Sequence, residues 1–106
     1  MIYTYNKLVR DKIPQNIDGI EGRKATYRVM DDREYIKELN KKLLEESNEF
    51  IEANDVEELA DVMEVIESIM RVKNIKWEEV RKIQDKKRDK KGSFNDKIYL
   101  EYVEED

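Results

Sequence analysis

Apolar side chains recur at three- and four-residue steps through the middle of this chain. Ile36, Leu39, Leu43 and Phe50 form one stripe. Val56, Leu59, Val62, Met63, Val65, Ile66, Ile69, Met70 and Val72 form a second, broader one. Such spacing gathers side chains on one helix face, so two amphipathic helices are predicted, joined by a tight turn at Asn54-Asp55. The second stripe covers about half its helix circumference at about 100° per residue, which predicts a central, most buried helix. Asp31 or Asp32 can cap the first helix and Asp55 the second. Asp31 with Glu34, and Asp55 with Glu58, have the spacing of capping boxes.

The flanks are weaker in pattern. Leu8, Val9 and Ile13 are expected to anchor the N-terminal segment ahead of Pro14, leaving its basic side chains free. Gln15 to Arg23, with Gly19 and Gly22, reads as a polar loop. Lys24–Met30 and Lys97–Val103 alternate enough to predict two short strands that can pair with each other. After a break at Asn74 to Lys76, a third helix is predicted from Trp77 to about Lys90, ending before Gly92, with Trp77, Val80 and Ile83 as core contacts.

On this framework the carboxylates fall in an unusual arrangement. Glu46 and Glu49 are three apart on the first helix, and Glu58 and Asp61 are three apart on the second, so each pair shares a face. Glu49 and Glu58 are nearest the turn, with Glu46 and Asp61 one helical turn further out. An antiparallel hairpin therefore brings all four toward one level. Glu46 lies inside its apolar stripe, where a carboxylate is costly unless it is paired, protonated or metal-bound. Taken singly, Glu46 can point into a wet gap or meet a Lys, and Glu58 can serve the capping box. Together, four repelling carboxylates require a positive partner, and a hard divalent cation, Mg²⁺ or Mn²⁺, matches an all-oxygen donor set.

Composition narrows the chemistry further. The chain has 106 residues, 39% hydrophobic and 44% charged, with one Pro and three Gly, which suits one all-α domain of long helices with solvated outer faces. It contains no Cys and no His, which excludes thiolate catalysis, a Cys-based zinc site and a histidine general base. A net charge of −5 argues against a nucleic-acid polymer as partner. No apolar run is long enough for a membrane span and the first residues lack a signal-peptide core, so a cytoplasmic protein is expected.

The acidic pattern EExxE then ExxD, here Glu45-Glu46-Ser47-Asn48-Glu49 and Glu58-Leu59-Ala60-Asp61, resembles that of the MazG-like superfamily of nucleoside triphosphate pyrophosphohydrolases. That superfamily also contains phosphoribosyl-ATP pyrophosphohydrolase. The opening YNKLVRDKIP and the late KGSFNDKIYL resemble a subgroup of house-cleaning enzymes within it. The resemblance spans nearly the whole chain. It implies a MazG-like antiparallel helical bundle with a few short strands, completed by packing the hairpins of two chains into a homodimer or homotetramer. It also implies Mg²⁺ held by Glu46, Glu49, Glu58 and Asp61, and cleavage of a nucleoside triphosphate between its α- and β-phosphates. Lys7, Arg10, Lys87 and Lys91 match phosphate-binding positions. The subgroup usually has Arg-Gly-Gly-Phe where this chain has Lys91-Gly92-Ser93-Phe94, and Lys meets phosphate as a point charge without Arg's bidentate fork.

The implied mechanism needs no histidine: the metal neutralises the triphosphate and acidifies a water, and Glu46 or Glu49 takes the proton. Two alternatives stand beside it. One is phosphoribosyl-ATP pyrophosphohydrolase, the same chemistry on another substrate. The other is a non-catalytic helical module that dimerises through its apolar face, with the acids as rim charges.

Overall fold

A computed structural model describes all residues from Met1 to Asp106. It is all-helical: α1 spans Ile13–Asp18, α2 Asp32–Ala53, α3 Val56–Val72 and α4 Trp77–Lys91. No helix is long and apolar enough to cross a membrane. The residues group into two compact units, Met1–Asn74 and Ile75–Asp106.

In the first unit α2 packs on α3. Both helices begin as the capping spacing predicts. The Asp31 carboxylate accepts a hydrogen bond from the Glu34 amide at 2.9 Å, and Asp55 accepts one from the Glu58 amide at 3.0 Å. Each bond satisfies one of the otherwise unpaired amides of a first helical turn, worth about 1 kcal/mol. Arg28 braces the start of α2 through two bonds to Glu34 of 2.7 and 2.6 Å. Between the helices, Asn54 takes a left-handed conformation (φ 58°) while its amide bonds back to the Phe50 carbonyl. Asn tolerates that region better than most residues, so the chain reverses within two positions.

The buried apolar side chains are few: Leu39 on α2, with Val65 and Met70 on α3. Ile36, Leu43, Phe50, Val62, Ile66 and Ile69 are half-buried around them. As expected, α3 is the most buried of the helices, yet its Leu59, Met63 and Val56 are exposed, as are Leu44 and Ile51 of α2. One chain covers only part of the apolar stripe.

Two expectations change. Gln15 to Arg23 is not wholly a loop: Pro14 sits at the start of α1, where its fixed φ and missing amide suit a first helical turn. The helix thus runs into the stretch read as a polar loop. Neither Lys24–Met30 nor Lys97–Val103 forms a strand. Alternation alone does not make one: a strand forms when its amides and carbonyls find a ladder partner. Tyr27 and Val29 are exposed, as are Ile98, Tyr99, Leu100, Tyr102 and Val103.

The second unit is α4 with the segment that follows it. Trp77 and Ile83, expected as core contacts, are exposed, while Val80 is half-buried. The Trp77 ring instead lies under the Arg81 guanidinium, 5.9 Å from its centroid, a spacing at which a cation is attracted to the ring face. Gly92 ends the helix at φ 85°, a conformation open to glycine and strained for other residues.

Candidate metal centre

The α2–α3 hairpin brings carboxylates from both acidic motifs together. One oxygen each from Glu46, Glu58 and Asp61 lie within 4.8 Å of one another. Glu46 is 8% exposed, comparable with the core residues Val65 and Met70. Its Oε2, and the Oε2 of Glu58, are shielded from solvent and have no hydrogen-bond partner. A buried acceptor left unpaired carries its full desolvation cost, about 1–3 kcal/mol and more when charged.

The electrostatics agree with that geometry. Glu46 is held above the ordinary Glu value, first by burial and then by the Glu49 carboxylate beside it, with Lys42 opposing. Glu58 is raised first by desolvation and then by the charges of Asp55, Asp61, Glu46 and Glu57. Glu46 and Glu58 are thus acids whose ionised forms lack sufficient counter-charge.

Two cations partly supply it. Arg10 donates from Nη2 to Asp61 Oδ1 at 2.7 Å, across 51 positions of sequence. Lys42 Nζ lies 3.5 Å from Glu46 Oε1 and 3.8 Å from Glu45 Oε1. Arg10, expected to be free for substrate, pairs instead with a candidate ligand, Asp61. Lys42 is the Lys that meets Glu46. Its signal was the four-residue spacing to Glu46, one helical turn.

The other candidates are not among the three clustered carboxylates. Glu49 is exposed and contributes no oxygen to it, although it is close enough to raise Glu46. Lys7 lines a cleft with α2. Lys87 and Lys91 are exposed on the later turns of α4, in the second unit.

Chemically, the cluster suits a hard divalent cation. Its donors are all carboxylate oxygens, two shielded oxygens lack partners, and the nearest cations are an Arg and a Lys held at its edges. Mg²⁺ and Mn²⁺ match such a set, whereas a softer metal would call for the His or Cys this chain lacks. No protein-family model, curated protein or solved structure matches the chain.

Proposed function

We propose that this chain is a Mg²⁺-dependent nucleoside triphosphate pyrophosphohydrolase of the MazG-like kind, cutting between the α- and β-phosphates to release a monophosphate and pyrophosphate. The observation that carries this reading is the meeting of Glu46 from EExxE with Glu58 and Asp61 from ExxD, around two shielded oxygens with no partner. A solvated acidic face leaves no such orphans, because water satisfies it.

In this reading Glu46, Glu58 and Asp61 hold the cation, with Glu49 completing the set from the helix face beside Glu46. When bound, Mg²⁺ offsets the charge of the phosphates and makes a water more acidic. The water oxygen bonds to the α-phosphorus as the bond to the bridging oxygen of the β-phosphate breaks, and its proton passes to a carboxylate. Glu49 suits that task better than Glu46 because it is exposed, so an oxygen not turned to the cation can take the proton. Arg10 and Lys7 offset charge on the departing pyrophosphate. Lys87 and Lys91 enter the reading through the resemblance alone.

Hydrolysis of a nucleoside triphosphate in ¹⁸O-labelled water tests the bond that is cut. The label is expected in the monophosphate, with unlabelled pyrophosphate as the other product. Nucleoside diphosphates are expected to be poorer substrates, since they lack the terminal phosphate that the basic side chains would hold. Orthophosphate with a diphosphate product would contradict the assignment. Phosphoribosyl-ATP passes the same test, so a substrate panel scored for pyrophosphate separates it from other triphosphates.

The reading includes self-association into a homodimer or homotetramer. Leu44, Ile51, Val56, Leu59 and Met63 are exposed apolar side chains of the hairpin, a surface that a second copy of the chain would cover. Sedimentation is expected to show a dimer or larger species at micromolar concentration, and a stable monomer would remove this part of the proposal.

A further inference from the structure

The N-terminal segment and α2 enclose a cleft beside the acidic cluster. Asn6, Lys7 and Leu8 form one wall, and Glu38, Lys41, Lys42 and Glu45 the other. Asn6 is left-handed, with φ 47°, which bends the segment just before Lys7. The cations here differ in what already neutralises them. Lys41 is paired with Glu38 at 3.3 Å. Lys7 takes part in none of the ion pairs of the chain.

Lys42 is the hinge of the arrangement. Its side chain is only 20% exposed, and its ammonium is shared at long range between Glu45 and Glu46, at 3.8 and 3.5 Å. It therefore belongs both to the cleft and to the carboxylate cluster. Neither contact is close enough for a tight charged hydrogen bond, which runs about 2.7–2.9 Å. Lys42 neutralises the cluster without being locked into it. Arg10 plays the matching part on the other helix, on Asp61, at a surface-exposed pair of the kind that contributes little to stability.

We infer that Lys42 is an exchangeable counter-ion: it neutralises Glu46 when no divalent cation is bound, and turns with Lys7 to bind the terminal phosphates of a polyphosphate when one is. The inference rests on the proposed metal reading and adds a substrate-binding residue and an order of events. Loading of the cluster leaves Lys42 facing less negative charge on Glu46, so its ammonium is available to an anion in the adjoining cleft. A polyphosphate consequently binds the metal-loaded protein better than the metal-free one. No covalent step is involved, and the change is an exchange of ionic partners within reach of one flexible side chain.

Binding of Mn²⁺ alone, followed by the loss of the free-ion electron paramagnetic resonance signal, and binding of inorganic tripolyphosphate, followed calorimetrically, test this on the full chain. In Lys42→Gln, Mn²⁺ alone is expected to bind several-fold more tightly, because a competing cation is gone. Tripolyphosphate binding to the Mn²⁺-loaded variant is expected to weaken about tenfold or more, the scale of a lost charged hydrogen bond. Lys42→Arg should restore most of that binding, and Lys41→Gln should change it far less. Circular dichroism checks that each variant keeps its helices, and Lys42→Met, which keeps the length of the side chain without its charge, carries the test if Lys42→Gln does not fold. Unchanged tripolyphosphate affinity in a Lys42→Gln protein that binds Mn²⁺ would overturn the inference while leaving the metal reading intact. So would weaker Mn²⁺ binding, which would make Lys42 a structural support of the cluster. A wild-type chain that binds no Mn²⁺ would overturn both.

Discussion

Glu46→Gln is expected to abolish Mg²⁺-dependent turnover, by at least about 100-fold, while leaving the metal-free protein as stable as before or more so. The two halves come from one cause. Glu46 is buried beside like charges, with one oxygen unpartnered and a Lys at 3.5 Å as its only counter-charge. Removing the charge removes repulsion that the metal-free fold must bear. It also removes a ligand, and several kcal/mol of lost transition-state stabilisation corresponds to about 10²–10³ in rate. Asp61→Asn should act in the same direction on turnover, with a smaller gain in stability because Asp61 is held by Arg10 at 2.7 Å. Assays of pyrophosphate release beside thermal melts in a chelator decide the matter. A clear loss of metal-free stability in Glu46→Gln would make Glu46 a structural partner of Lys42 and remove it from the ligand set.

The second large effect is on melting itself. The folded-state pKa values of Glu46 and Glu58 are raised above the ordinary Glu value of 4.5. In the window above that value the native state holds more protons than the unfolded one, so stability falls as pH rises through it. Glu34 is lowered by Arg28 and acts in the opposite sense below the ordinary value, where its contribution is lost as pH falls. Metal-free protein should therefore melt at its highest temperature in mild acid and lose stability toward neutrality. Mg²⁺ should cancel that loss. At one hundred times its dissociation constant it adds about 2.7 kcal/mol, or roughly 10 °C for a domain near this size. A melting temperature that ignores Mg²⁺ at neutral pH would leave the acids as ordinary surface charge, in keeping with a non-catalytic helical module.

What could be read from the sequence follows the range of the interactions involved. The starts of α2 and α3 were legible because a capping carboxylate meets an amide three residues on, Asp31 with Glu34 and Asp55 with Glu58. The meeting of Glu46 with Glu58 and Asp61 was legible because a tight turn fixes which positions face each other across a hairpin. Glu49, expected at the same level, is exposed and outside the three-oxygen cluster, near enough to repel Glu46. The Arg10–Asp61 pair could not be read, since nothing local ties residues 51 positions apart. The strands failed for the same reason: Lys24–Met30 and Lys97–Val103 have a suitable alternation, and no ladder partner meets either.

The two-position reversal at Asn54 also governs how the centre comes into being. Glu46 and Asp61 are separated by only 15 positions, so the segment to be closed is short and most of it is helix once formed. Closing a loop of that length takes on the order of 100 ns, and proteins rich in such near-neighbour contacts fold fast. The three carboxylates are thus brought together by contacts local in sequence, with no need for distant segments to dock. Like charges are brought together at that step, before most of the apolar surface is covered. A cation present during folding would favour the hairpin at its nucleus, acting on the rate at which the chain folds as well as on the final equilibrium.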